Sequence, residues 1–121
     1  MGEAMNYHTL WVWQESMALA TAVLRHVSDS KHYFFRDQIG RSALSIPSNI
    51  AEAMVRDTMA DRRRILFYAI GSSAELETQL AIGKDLNWLT HPDIKQWQNT
   101  NTRIQISLHR LTNSLSQTQS R

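Results

Sequence analysis

The chain has 121 residues, of which 42% are hydrophobic, and its formal net charge is +2. This length predicts one domain, and so small a charge permits a local nucleic-acid-binding patch without demanding one. The absence of cysteine excludes disulfides, thiolate zinc sites and cysteine nucleophiles. No apolar run is long enough to cross a membrane and no secretory pattern opens the chain, so we expect a cytoplasmic protein without a membrane partner.

Apolar residues recur at steps of three and four along four segments, a period typical of amphipathic helices. The first predicted helix runs from about Leu10 to Val27, and its apolar face comprises Leu10, Trp13, Met17, Ala20, Leu24 and Val27. The second runs from about Phe34 to Arg56, with the apolar row Ile39, Ala43, Ile46, Ile50 and Ala53. This row keeps its phase across Pro47, so we predict one helix bent at Pro47 rather than two helices.

The third predicted helix begins after Thr58, which forms a capping-box pattern with Asp61, and it ends near Gly83. Its inner row is Leu66, Ala69, Ser73, Leu76 and Leu80. For the fourth helix, Thr90 and Asp93 give a second capping box, with Pro92 in the first turn. Its row is Ile94, Trp97, Asn101, Ile104, Leu108, Leu111 and Leu115.

Four such helices with short connections predict an all-α, antiparallel up-down four-helix bundle. We expect one domain over residues 1–121, with an ordered core of about 9–116 and frayed ends. Asn101 is the one polar residue in its row. It either fixes the register of the helix from a buried position, or reaches water because the row is slightly rotated there.

A second, polar stripe runs along the second and third helices at the same spacing. It favours Ser, Asn and Gln and contains no Lys, and Gly71 next to it suggests a close helix contact. One interpretation is a pair of solvated faces. The other is a polar network between these helices or across a subunit contact, in which Arg41 pairs with an acidic residue; it comprises Arg41, Ser45, Ser48, Asn49, Glu52, Ser72 and Glu75.

The only basic run is Arg62, Arg63 and Arg64, with Arg56 just upstream. These residues lie near the start of a helix, where the macrodipole opposes positive charge, so phosphate binding would explain their position. The alternative is a solvated turn that Asp57 and Asp61 offset. The sequence contains no base-reading motif, so any binding is expected to use backbone charge and shape.

The segments "QIGRSALSIPSNIAEA" and "AIGSSAELETQL", with the opening "LWVWQESMAL", resemble the four-helix-bundle proteins encoded in intervening sequences of bacterial large-subunit ribosomal RNA genes. This family is related to the accessory variability determinant of diversity-generating retroelements. The resemblance covers about Leu10 to Leu115, although Ala53 stands where the family usually has Gly. It implies a homopentameric ring and, for the retroelement branch, binding of nucleic acid and of a reverse transcriptase through basic surfaces.

Nothing in the sequence predicts an enzyme. The five histidines show no metal-ligand spacing, and Ser45 and Ser48 have no adjacent His, so we expect no catalytic residue, no metal and no cofactor. The four tryptophans are interpreted as core or subunit-contact residues, with stacking on a base as the alternative. We expect a non-enzymatic oligomeric scaffold that binds RNA or DNA, or alternatively a protein-interaction accessory subunit, for example of a reverse transcriptase.

Overall fold

The structure, a computed structural model, describes residues 6–119, with side chains as far as residue 115. The ends that the sequence predicts to be frayed, before residue 9 and after residue 116, lie partly outside the described residues. After a single 3-10 turn at Tyr7–Thr9, the four helices are α1 Trp11–Val27, α2 Tyr33–Met54, α3 Met59–Asp85 and α4 Ile94–Gln119. Each helix packs against its two neighbours, α1 against α2 and α4, and α3 against α2 and α4. The all-α four-helix fold is therefore confirmed.

The core is built from one apolar stripe of each helix, and three of the four predicted stripes are confirmed. Every residue of the predicted α2 and α3 rows is buried, and the α4 row is buried from Ile94 to Leu108 and partly buried at Leu111 and Leu115. α2 is continuous through Pro47, which is itself buried. The interpretation of this segment as one helix is confirmed, and the missing N–H of Pro47 leaves the carbonyl of Ala43 without its usual helical donor.

The predicted face of α1 is wrong in part, because the helix is rotated. Met17 and Leu24 are exposed, whereas the buried residues are Val12, Ser16, Leu19, Ala20, Val23 and Val27. Apolar residues surround most of this helix, so spacing alone did not fix its inner face. The buried Ser16 is satisfied within the helix, since its hydroxyl donates to the Trp13 carbonyl at 3.0 Å.

The two capping predictions have different outcomes. Thr58 is the N-cap of α3, where its hydroxyl accepts a hydrogen bond from the Asp61 amide at 3.1 Å. The second box is wrong, because α4 begins at Ile94, after Pro92. Proline disfavours a helical conformation of the residue before it. The Asp93 amide instead donates to His91 Nδ1 at 3.0 Å.

α3 extends past Gly83 to Asp85 and ends in a Schellman motif that the sequence did not reveal. Asn87 adopts a positive φ of 59°. The Asn87 amide donates to the Lys84 carbonyl at 3.1 Å, and the Trp88 amide donates to the Gly83 carbonyl at 2.9 Å. Asparagine tolerates this left-handed conformation better than other side-chain-bearing residues, so Asn87 does what a glycine usually does.

Candidate nucleic-acid interface

The four arginines of the predicted basic site lie where α2 ends and α3 begins. Arg62 reaches back across the connection, and its Nε donates to the Arg56 carbonyl at 2.8 Å. Arg56 in turn forms an ion pair with Glu52, one turn earlier in α2. The connection between the helices is therefore tied together by the same side chains that supply its positive charge.

Arg63 and Arg64 each lie over an aromatic ring one turn further along α3. The guanidinium of Arg63 is 5.1 Å from the centroid of Phe67, and that of Arg64 is 5.7 Å from the centroid of Tyr68. Arg64 Nη1 also donates to Tyr68 Oη at 3.1 Å. This hydrogen bond is the largest of the causes that raise the pKa of Arg64, and nearby Asp61 contributes to the rise.

Acidic side chains offset much of this charge. Asp61 Oδ1 lies 3.6 Å from Arg64 Nη2, and Glu52 holds Arg56. With Asp57 between the helices, three carboxylates accompany the four guanidiniums. What remains is a modest positive excess on exposed or half-buried groups whose geometry is fixed by ring and backbone contacts. Such a surface can bind phosphate groups electrostatically.

The residues of the predicted polar network are not joined to one another across α2 and α3. Arg41, Ser48, Glu52 and Glu75 are exposed, Ser45 and Asn49 are half-buried, and only Ser72 is buried. Among the described residues, no carboxylate pairs with Arg41, and Glu52 pairs with Arg56 instead. The network within the chain is therefore wrong, because most of these residues lie on the outward face of each helix. A role across a subunit contact stays a prediction.

The small polar residues of α2 are satisfied by their own helix. The Ser45 hydroxyl donates to the Arg41 carbonyl at 2.7 Å, and Asn49 Nδ2 donates to the Ser45 carbonyl at 2.9 Å. Such bonds to the preceding turn are common for these residue types. Gly71 also does not make a close contact within the chain, since a Cβ added there would meet nothing within 4 Å.

A buried polar pair does exist, but it joins α3 to α4. The Ser73 hydroxyl donates to Asn101 Oδ1 at 2.7 Å, and Asn101 Nδ2 donates back to the Ser73 carbonyl at 2.9 Å. Both residues are essentially inaccessible to solvent. Of the two sequence interpretations of Asn101, the buried one is therefore confirmed. The sequence contains a signal for this pair, because the apolar rows of α3 and α4 each include one polar residue. These two residues, Ser73 and Asn101, face each other in the structure.

The end of the bundle away from the arginines is rich in imidazole and indole rings. His32 stacks on Trp88 with their centroids 4.0 Å apart, and His26 meets His91 edge to face at 5.1 Å. Burial is the largest cause that lowers the pKa of His26, and His91 lowers it further. No group of three potential ligands that could hold a metal ion occurs among the described side chains. Within residues 6–119, no helix is long and apolar enough to span a membrane.

Helix order and packing place the molecule among antiparallel four-helix bundles. Within that class, the chain belongs to the 23S rRNA-intervening sequence protein family, whose model matches residues 8–110. It is also similar to the crystal structure of a protein of unknown function from the S23 ribosomal protein family of Bacteroides thetaiotaomicron. That similarity has a TM-score of 0.77 at 26% identity, and it covers 84% of this chain and 97% of the other. A comparison with curated proteins finds no match.

Proposed function

We propose that this protein is a non-enzymatic, cytoplasmic scaffold that assembles into a closed homopentamer and binds RNA or DNA through its arginine-rich end. The observation that carries the binding proposal is that Arg56, Arg62, Arg63 and Arg64 all lie at the α2–α3 connection. Their contacts to a carbonyl and to two rings hold the guanidiniums in place, so little side-chain freedom is lost when a phosphate is bound.

Assembly would make a modest charge per chain useful, because each copy adds its patch to a shared surface. Exposed apolar residues supply a reason for assembly. Phe34 is 82% exposed, and Leu44 is 54% exposed beside a groove of about 540 Å³ between α1 and α2. Gly40 lies in this groove, which is otherwise lined by Leu24, Val27, Ser28, Arg36, Asp37 and Arg41. A soluble chain gains by covering such a surface.

The same exposed surface favours a second candidate function, that of an accessory subunit that binds another protein, such as a reverse transcriptase. Phe34 and Leu44 would then contact that partner rather than another copy of the chain. In this case the arginine-rich end would have a structural role, and nucleic-acid binding would be weak or absent.

The experiment that separates the two functions replaces Arg62, Arg63 and Arg64 together with Gln. If they bind phosphates, the variant binds RNA more weakly than the parent, and the loss of affinity is similar for unrelated sequences. The slope of log affinity against log salt should fall by about 2 to 3, since each lost contact removes roughly 0.7 to 0.9. The fold should survive, because Gln is a good helix former.

The matched control carries the same loss of charge at the opposite end of the bundle, through Arg25→Gln, Lys31→Gln and Lys84→Gln. All three side chains are exposed. The control should retain the parent's affinity and salt slope apart from a small general effect of net charge. A triple arginine variant that behaves like this control would give first place to the protein-interaction function.

A further inference from the structure

An open cleft of about 340 Å³ lies between the start of α1 and the outer surface of α4, apart from the arginines considered above. It is lined by Trp11, Arg103, Ile106, Ser107 and Arg110. The guanidinium of Arg103 lies over the indole of Trp11, 5.2 Å from the ring centroid. Trp11 is nevertheless 40% exposed. The cleft therefore presents a cationic group and an aromatic ring side by side, both accessible to solvent.

The charge of this cleft is not offset as the charge at the α2–α3 connection is. None of its lining residues is acidic. Arg56 and Arg64 are paired with Glu52 and Asp61, but among the described residues no carboxylate lies within ion-pair distance of Arg103 or Arg110. Two exposed guanidiniums, seven residues apart on one face of α4, are thus available to an anionic ligand.

We infer that this cleft binds single-stranded nucleic acid, with a base stacked on the Trp11–Arg103 platform and the adjoining phosphate bound by Arg110. The inference rests on the proposed nucleic-acid-binding function and names the strand form that it recognises. Every base has a π-face, so stacking of this kind does not depend on sequence. Arginine suits both tasks, because its planar fork binds phosphate in a bidentate manner and also stacks on rings.

The combination of groups favours a single strand over a duplex. A duplex offers phosphates, but its base faces are already stacked on one another. An exposed indole would contribute little to binding a duplex, whereas it can stack on an unpaired base. An acidic peptide would satisfy the two arginines, but it would leave the indole platform without a planar partner.

The helix register places this cleft at the same level as the arginine-rich end. Ser73 lies opposite Asn101 in antiparallel helices, so each step back along α3 corresponds to one step forward along α4. Arg64, nine residues before Ser73, therefore lies at the level of Arg110, nine residues after Asn101. A flexible strand that wraps around this part of the bundle can contact both sets of arginines.

The test compares labelled RNA of about 12 nucleotides, single-stranded or annealed to its complement, by fluorescence anisotropy. Trp11→Leu should weaken single-strand binding about ten-fold or more, while the salt slope and the duplex affinity stay close to the parent's. Trp11→Phe keeps a ring and should retain most of the affinity. If Trp11→Leu fails to fold, the double variant of Arg103 and Arg110 still tests the inference.

Arg103→Gln with Arg110→Gln should weaken single-strand binding and reduce the salt slope by at least about 0.7, the contribution of the one phosphate contact that Arg110 makes. The matched control is Arg25→Gln with Lys84→Gln, which should leave both quantities close to the parent's. The inference is overturned if Trp11→Leu binds as the parent does, or loses affinity equally for strand and duplex. It is also overturned if the arginine double variant matches its control.

Two outcomes separate this inference from the proposed function. If the cleft variants bind like the parent while the Arg62, Arg63 and Arg64 variant does not, the proposed function stands and the cleft is not a binding site. If the parent binds neither strand nor duplex, both proposals fail. A cleft variant that loses subunits but keeps its affinity would assign the cleft to a subunit contact and overturn the inference.

Discussion

The side chains of Ser73 and Asn101 satisfy each other in the interior of the bundle, where neither can reach water. Asn101 both accepts from the Ser73 hydroxyl and donates to the Ser73 carbonyl. Such a reciprocal pair can form only when α3 and α4 have one particular register. A sliding of one helix along the other would leave both polar groups buried and unpaired, which costs about 1 to 3 kcal/mol for each group.

Asn101→Ala should therefore lower the free energy of unfolding by about 1 to 3 kcal/mol, since it leaves the Ser73 hydroxyl without its partner and opens a small cavity. Urea denaturation of Asn101→Ala, Ser73→Ala and the double variant measures the coupling between them. We expect a coupling energy of at least about 0.5 kcal/mol, as for residues in direct contact. Thr102→Ala, at an exposed position next to Asn101, is the control and should change stability little. If the losses in free energy of unfolding of the two single variants simply add in the double variant, the two side chains are not coupled and the account of the pair is contradicted.

The lowered pKa of His26 predicts how stability depends on pH. Burial and the neighbouring His91 favour the neutral imidazole in the folded state, against a weaker opposing effect of Asp29. The ordinary pKa of 6.5 belongs to the unfolded chain, which therefore takes up a proton first as the pH falls. The stability that this group contributes is full above about pH 6.5 and is lost as the pH falls through the lower folded-state pKa.

Denaturation at several pH values measures this loss in the parent and in His26→Phe, which keeps a ring against Trp97. Arg25, His91 and Asp93 line the same small cleft and Asp29 also acts on His26, and all four side chains are present in both proteins. The difference between the two proteins isolates His26. We expect the variant to lose less stability than the parent between pH 7 and pH 5. An identical loss would show that His26 does not couple folding to pH.

At the scale of the helices, two glycines of α3 have opposite surroundings. Gly83 is buried, and a Cβ there would lie 2.6 Å from Leu89 Cδ1 and 2.7 Å from Phe35 Cζ. The end of α3 can pack this closely against both side chains only because residue 83 has no side chain. Gly71 is exposed in the middle of the same helix and has open space around it.

Replacement of each glycine by Ala should therefore change stability in opposite directions. Gly71→Ala should raise the free energy of unfolding by up to about 1 kcal/mol through helix propensity. Gly83→Ala has the same gain, but overpacking against Leu89 and Phe35 should outweigh it, for a net loss of about 1 kcal/mol or more. Thermal unfolding followed by circular dichroism measures both. A destabilising Gly71→Ala would indicate that a second copy of the chain packs against this position.

The sequence predicted helices well where apolar spacing was unambiguous and less well elsewhere. The α2 row around Ile46 was correct because polar residues flank most of its members, and in the α3 row Leu76 lies between Glu75 and Glu77. The face of α1 was not, since Met17 and Leu24 are as apolar as the residues that are buried. The predicted start of α4 was wrong because Thr90 and Asp93 match a capping pattern, whereas Pro92 disfavours a helical conformation of the residue before it.

The candidate sites also divide into features that the sequence shows and features that only helix packing creates. The run Arg62 to Arg64 is visible in sequence, but Arg103 and Arg110 lie seven residues apart and become a site only when α4 packs beside Trp11. The polar residues of α2 do recur at helical spacing, but most of them face away from the core, so they do not form a network with α3. Ser45 and Asn49 bond to their own helix, and the buried pair formed elsewhere.

At the scale of the whole molecule, the chain leaves apolar residues on the outside of the bundle. Phe34 and Leu44 in α2, and Val55 directly after it, are more than half exposed, so their burial between copies of the chain would remove apolar surface from water. The amphipathic helices otherwise leave a surface of mixed polarity. The proposed assembly therefore rests on α2 more than on any other helix.

Multi-angle light scattering at micromolar concentration should return a mass of about five chains, as the proposed closed homopentamer requires. Phe34→Ser with Leu44→Ser should shift the protein toward smaller species without loss of helical content, because these side chains contribute little to the core. A similar pair of changes on another exposed surface, Ile82→Ser with Leu86→Ser, serves as the comparison. A parent protein with the mass of a single chain would contradict the assembly.

The central claim is that this bundle binds nucleic acid through contacts of its arginines with the phosphate backbone. The dependence of binding on salt tests this claim most directly. Two unrelated RNA sequences would be titrated with the parent protein between about 50 and 200 mM salt. We predict similar affinities for both, and log affinity that falls with log salt with a slope of at least about 2 in magnitude, as expected for three or more phosphate contacts. Undetectable binding at the lowest salt, or a slope close to zero, would contradict the claim.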